Sequence, residues 1–223
     1  ILTNEHVVAN CESLIARLSD GTELNATIVA ADPRSDLAIL RVPRTGLTPV
    51  RMCTWTNVAR GQWSVAMGNP YGLAADGQAS VAIGVISNLH RQLPGLGEDD
   101  DRFYYDMIQT TASIHPGHSG GPLFNLKGEL IGVLTAMHTH SAGDDGVGFA
   151  TPLTEAKRRL IERLAAGQPI EYGYLGAMVR TPTPAERDRA GRPGGVVVQR
   201  LESDGPAARG GAAQTTPSRR WGG

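Results

Sequence analysis

A serine hydroxyl is a weak nucleophile, and the surroundings of Ser119 could compensate for that. Gly117-His118-Ser119-Gly120-Gly121-Pro122 places glycines on both sides of it. Their freedom lets backbone N–H groups turn towards one point beside the hydroxyl, as an oxyanion hole requires. The plainer alternative is a glycine-rich turn with an incidental serine. Such a serine also needs a neutral imidazole to take its proton, and a carboxylate to orient that imidazole and stabilise its charged form.

Chain order decides where these partners lie. The hexapeptide satisfies G-x-S-x-G, the nucleophile elbow, which demands a helix after the serine and then an acid and a histidine. Here Gly120-Gly121-Pro122 breaks a helix at once, no histidine follows His140, and Glu129 is the only acid between Ser119 and His140. The reverse order is available. His6 stands in Leu2-Thr3-Asn4-Glu5-His6-Val7-Val8, read as the end of an apolar strand. Asp36 precedes the buried-looking strand Leu37–Val42. Taken singly, His6 is a satisfied strand-end histidine and Asp36 a turn acid; together, in this order, they read as base and acid. Asp32 competes locally, but Asp32-Pro33 reads as turn initiation.

Other candidates are weaker. His138-Thr139-His140 puts two imidazoles on one strand face, but no third ligand follows at a suggestive spacing, so a solvated loop is preferred and no metal or cofactor is expected. Cys11 and Cys53 exclude a disulfide-dense scaffold and leave either one bridge or two thiols. With 21 basic and 22 acidic residues, a formal charge of −1 excludes nucleic-acid binding driven by bulk charge. No apolar run approaches the roughly 18 residues of a membrane helix.

The elements that must hold these residues are mostly strands. Hydrophobic residues at 40%, with 28 glycines and 14 prolines in 223 residues, suit a β-rich chain with many tight turns. Leu14, Ala16 and Leu18 share a face; Ser19-Asp20-Gly21 turns the chain into a strand over Thr22–Ala30. After a weakly patterned connection from Thr48 to Gly61, strand-like runs recur at Gln62–Met67, Gln78–Ile86, Tyr104–Gln109, Pro122–Phe124, Leu130–Met137 and Val147–Ala150. This spacing predicts a sandwich or barrel. One helix is expected, capped by Thr151 with Pro152 at its first position, striped by Leu153, Ala156, Leu160 and Leu164, and stopped by Gly167 and Pro169. Tyr174–Val179 and Gly195–Gln199 read as strands of a separate small unit.

Ile-Leu-Thr-Asn-x-His-Val-Val, Asp-x-x-x-Asp-Leu-Ala-Ile-Leu, Gly68-Asn69-Pro70 and Gln109–Leu123 together resemble the HtrA/Deg family of trypsin-like serine proteases, over roughly residues 1–210. The resemblance implies an all-β, trypsin-like double β-barrel at 1–168 with a closing helix and a truncated PDZ-like α+β unit at 172–210; where that unit should continue, 211–223 reads instead as an irregular tail. It implies His6 as general base, Asp36 as its orienting acid, Ser119 as nucleophile, and the N–H groups of Gly117 and Ser119 as the oxyanion hole. His118 stands where relatives usually carry Asn, and Thr111 where they usually carry Asp. Arg91 is nearest to the family's sensor arginine in a regulatory loop.

Further expectations follow from it. Ser113 occupies the place where enzymes that cut after Lys or Arg carry an acid. With Met137 and Phe149 as walls, the substrate pocket would be neutral and suited to aliphatic side chains. Tyr174, Leu175 and Gly176 would bind a peptide carboxylate. Relatives cleave unfolded or misfolded proteins outside the cytoplasm, in the periplasm or anchored facing outward, as homotrimers or larger assemblies. The alternative is a non-proteolytic peptide-binding chaperone or scaffold, which would have no use for an intact triad. Only about four strand-like runs occur between Ile1 and Arg51. The first barrel is therefore expected to be incomplete, and the chain to be a fragment of low stability.

Overall fold

The computed structural model describes residues 1–74, 76–93, 102–135, 147–191 and 194–212. Contacts divide the chain into two units, Ile1–Ile170 and Glu171–Gly223.

The first unit begins with β1 (Leu2–Thr3) and a single helical turn, α1 (Glu5–Val8). The strands β2 (Ile15–Arg17) and β3 (Glu23–Asn25) form a separate hairpin, Ile15 opposite Asn25. Next come β4 (Thr27–Asp32) and β5 (Leu37–Arg41). β5 is central to a three-stranded antiparallel sheet ordered β1-β5-β4, with Thr3 opposite Ala38 and Asp32 opposite Leu37. Two expectations are corrected here. Thr22–Ala30 is not one strand: the chain breaks at Ala26, whose N–H turns to Leu14 O at 2.8 Å, so its halves join different sheets. His6 does not end a strand either, because the chain leaves β1 at Asn4 and coils into α1.

The following strands close on themselves. β6 (Trp63–Gly68), β7 (Ser80–Arg91), β8 (Met107–Thr110), β9 (Pro122–Phe124), β10 (Leu130–Thr135) and β11 (Gly148–Pro152) make a six-stranded antiparallel barrel ordered β10-β11-β8-β7-β6-β9. Closure removes exposed sheet edges. Its interior is filled by Ala66, Ile86, Ile108, Leu123, Ile131 and Leu134, none more than 1% exposed. The barrel is where close backbone approach matters most: a Cβ on Gly84 of β7 would lie 2.1 Å from Ala112 N.

The expected helix exists but starts later. Thr151 and Pro152 pair with Val133 and Gly132 in the barrel, so neither can cap it. α2 (Glu155–Ala165) is capped by Thr154, whose hydroxyl accepts the Lys157 N–H at 3.3 Å. Its buried Ile161 and Leu164 join Leu37 of β5, Leu130 and Val133 of β10, and Leu153 in one apolar cluster. This cluster fastens the three-stranded sheet to the barrel. It is what positions the site. Cys11 is exposed and Cys53 buried, both as free thiols.

In the second unit, β12 (Ala177–Arg180) and β13 (Val197–Leu201) pair antiparallel, with α3 (Pro184–Ala190) and α4 (Pro206–Arg209) beside them in sequence. Among the described residues no helix is long and apolar enough to cross a membrane.

Candidate active site

Asp36 ends the turn between β4 and β5 in the left-handed region, at φ +54, where Asp is tolerated better than most side chains. Its carboxylate is 1% exposed. Three ties fix the backbone: Asp36 N–H donates to Pro33 O at 3.1 Å, while Asp36 O accepts the Glu5 N–H at 3.2 Å and the Asn4 amide at 2.9 Å. Asn4 stands at the N-cap of α1 yet makes no capping bond with its side chain, which it spends on Asp36 instead. The result brings His6 over the acid. Asp36 Oδ2 lies 2.7 Å and Oδ1 2.9 Å from His6 Nδ1, and Oδ1 also accepts the His6 backbone N–H at 3.0 Å. Asp32, the local competitor, caps the turn by accepting the Ser35 N–H at 3.0 Å.

Ser119 is held by a turn packed between both halves of the unit. Gly120 N–H donates to Leu134 O at 2.9 Å, and Leu134 N–H to Gly121 O at 2.8 Å, which ties the turn to β10. Gly120 has φ +79, and a Cβ there would lie 2.1 Å from Thr3 Oγ1, so only glycine lets the turn meet β1 just ahead of His6. Gly117, at φ +100, accepts the Asn69 N–H at 3.0 Å, and its missing Cβ would lie 2.2 Å from Asn69 O. Gly68-Asn69-Pro70 is thus the seat on which the serine turn rests. Gly68 also leaves room for the His118 ring, which would sit 2.8 Å from a Cβ there.

The other predicted residues divide. Ser113 follows β8, and its neighbours Ala112 and Ile114 both abut Gly148, the residue before Phe149 of β11. Met137, His138 and His140 lie outside the described residues. Arg91 ends β7 and donates from Nε to Gln109 Oε1 at 2.7 Å, on the strand that pairs Gln109 with Phe149. In the second unit Tyr174 and Leu175 expose their side chains, Tyr174 O–H donates to Glu202, and Gly176 sits at φ +68 against Gly205.

Several residues missed in the sequence surround the acid. Arg102 donates from Nη2 to Glu5 Oε2 at 2.6 Å and lies 3.8 Å from Asp36 Oδ1; Tyr104 O–H donates to Asp36 Oδ2 at 3.2 Å. Burial alone would lower the Arg102 guanidinium, but the Glu5 bond and the Asp36 charge outweigh it and push it up. Lys157 of α2 is lowered by burial, partly offset by Asp32, Asp106 and Asp36. His118 is lowered as well, mainly by desolvation; its Nδ1 lies 3.2 Å from both N and O of His115, and its buried Nε2 has no partner among the described residues. No group of three or more metal-ligating side chains converges among the described residues.

Comparison with known proteins places the family. The trypsin-like peptidase domain family matches residues 1–133. "Probable periplasmic serine endoprotease DegP-like" from Ectopseudomonas mendocina (strain ymp) is 40% identical over 95% of this chain and 43% of its own length. The protein of the same name from Halomonas elongata is 38% identical over 95% and 43%. The chain thus spans less than half the length of these relatives. Among solved structures, the HtrA-type protease AlgW with a tripeptide superposes with a TM-score of 0.80 at 38% identity, covering 96% of this chain and 68% of that one. AlgW with a decapeptide gives 0.76 at 37%, covering 96% and 63%. The chain belongs to the trypsin-like serine peptidase family, within its HtrA-type branch.

Proposed function

We propose that this chain carries the catalytic part of a serine endopeptidase that hydrolyses unfolded or misfolded polypeptides outside the cytoplasm. The observation that carries the reading is the buried Asp36 carboxylate 2.7 Å from His6 Nδ1, in a unit whose Ser119 turn packs on the residues just before His6. With Nδ1 committed to Asp36, His6 Nε2 takes the Ser119 proton as the hydroxyl attacks the scissile carbonyl, and Asp36 stabilises the imidazolium that forms. The N–H groups of Gly117 and Ser119 receive the developing oxyanion. His6 then returns the proton to the leaving amine, and water repeats the sequence on the acyl-enzyme. The proposal extends to a PDZ-like role for the second unit and to a homotrimer or larger assembly. The periplasmic setting is supported by the names of the DegP-like relatives.

Ser113 and Phe149 give the primary pocket no charge to set against a substrate cation, so Val, Ile, Leu or Ala should precede the cut bond. The test is casein digestion by the full-length protein. Ser119→Ala should reduce the rate roughly a thousandfold or more while leaving peptide binding intact; wild-type cleavage by the variant overturns the assignment. Mass spectrometry of the wild-type products should show a majority of cuts after aliphatic residues, and a majority after Lys or Arg refutes the pocket.

A further inference from the structure

Asp36 receives more than a histidine needs to be oriented. Besides both His6 nitrogens that face it, its carboxylate takes the Tyr104 hydroxyl at 3.2 Å and has the Arg102 guanidinium 3.8 Å away. Arg102 is itself held by Glu5, the residue before His6, at 2.6 Å, with both side chains largely enclosed at 15% and 12% exposure. The segment carrying the two residues is fastened to the turn that carries Asp36: Phe103 N–H donates to Arg34 O at 2.9 Å, and the Arg34 guanidinium lies 4.3 Å over the Phe103 ring. The residues alternate as extended chain does. Arg102 and Tyr104 are half-buried towards the acid, while Phe103 and Tyr105 are exposed at 39% and 53%.

We propose that Arg102 and Tyr104 are positioning residues of the proteolytic reaction: they hold the Asp36 carboxylate in place and set how much of its charge reaches His6. This rests on the His6–Asp36–Ser119 reading above and assigns it two further members. Two enclosed carboxylates, Glu5 and Asp36, would repel each other across His6 without a cation between them; Arg102 supplies it. A hydroxyl donated to a carboxylate draws charge from it, so Tyr104 weakens the attraction between Asp36 and the imidazolium while fixing the oxygen that His6 must find. Among the described residues, the charged and titratable groups facing the pair include Glu5 of α1, Arg102 and Tyr104 ahead of β8, and Lys157 of α2, whose charge interacts with Asp36.

The signs follow. Removing the Tyr104 hydroxyl leaves more charge on the carboxylate, favours the imidazolium, and moves the acidic limb of the kcat/KM profile to higher pH. Tyr104→Phe in the full-length protein should shift that limb upwards by about half a pH unit and lower kcat about threefold, with KM nearly unchanged. Arg102→Met should lower kcat about tenfold or more and Arg102→Lys should recover part of it, because a cation is restored without the fork. Fluorophosphonate labelling of Ser119 should slow in parallel. A Tyr104→Phe enzyme that melts lower but keeps the wild-type pH profile and kcat, or an Arg102→Lys enzyme no better than Arg102→Met, overturns the assignment and leaves a merely structural contact. Turnover or labelling that survives Ser119→Ala instead rejects the underlying protease reading, so the two failures are distinguishable.

Discussion

Asp36 holds a left-handed backbone, at φ +54, because its carbonyl is taken by Glu5 and Asn4 and its carboxylate by His6. Local strain of this kind persists where several surrounding contacts enforce it. His118 is the complementary case, a buried residue beside the nucleophile whose charged form is disfavoured mainly by desolvation. Burial lowers it from the ordinary imidazole value of 6.5. The folded state then resists the proton that the unfolded chain accepts, so the stability His118 contributes is present above that value and lost as pH falls towards the lower folded one. Melting temperatures at pH 7 and pH 5 should therefore draw together when wild type is compared with His118→Asn, the wild type losing more on acidification. A constant gap between the two would show that His118 does not titrate in this range. The proposed set of His6, Asp36 and Ser119 could be drawn from the sequence because glycines flank Ser119 and the three stand in the chain order a base, acid and nucleophile can take, although His6 and Asp36 taken singly read as ordinary strand-end and turn residues. Arg102 and Tyr104 have no such pattern. Their partner Asp36 is reached only through the tertiary fold.

At the scale of elements, the two halves of the first unit are joined by packing around one helix. Leu164 of α2 is 1% exposed and Leu37 of β5 fully buried, in a cluster that also takes Leu130 and Val133 from the barrel. The strand bearing Leu37 starts directly after Asp36, and the strand bearing Val133 also holds the Ser119 turn through Leu134. Truncation here should thus disturb alignment as well as stability. Leu164→Ala should cost about 2–5 kcal/mol, seen as a lower denaturation midpoint, and the folded variant should label more slowly with fluorophosphonate. An unchanged labelling rate in the folded variant would mean that the halves align without this contact. The barrel strands could be read as short strand-like runs separated by turn signals, β10 being buried along its whole length. α1 could not, since four residues are too short for a helical period, and the start of α2 was misplaced because Thr-Pro at 151–152 imitates a helix start while serving as the end of β11.

The whole molecule divides its stability unevenly between its two units. The first, Ile1–Ile170, contains His6, Asp36 and Ser119 together with both apolar clusters. In the second, Glu171–Gly223, no apolar side chain belongs to the buried core among the described residues. Its order rests on one two-stranded sheet and on local ties such as the Thr183–Glu186 capping box and the Arg180–Glu186 pair at 2.5 Å. Exposed ion pairs contribute little, and an isolated two-stranded sheet is marginal by itself. The second unit should then open far more often than the barrel, and a protease should reach it first. Brief digestion with thermolysin, a metalloprotease that fluorophosphonates do not touch, should trim the chain to a product ending near Ile170. That product should still label at Ser119 at close to the rate of the undigested chain, because every residue placed in the catalytic set lies upstream of the cut. Cleavage inside the barrel before the second unit is lost would contradict the order of stabilities. Loss of labelling on trimming would show that the second unit is needed to hold the catalytic residues in working geometry.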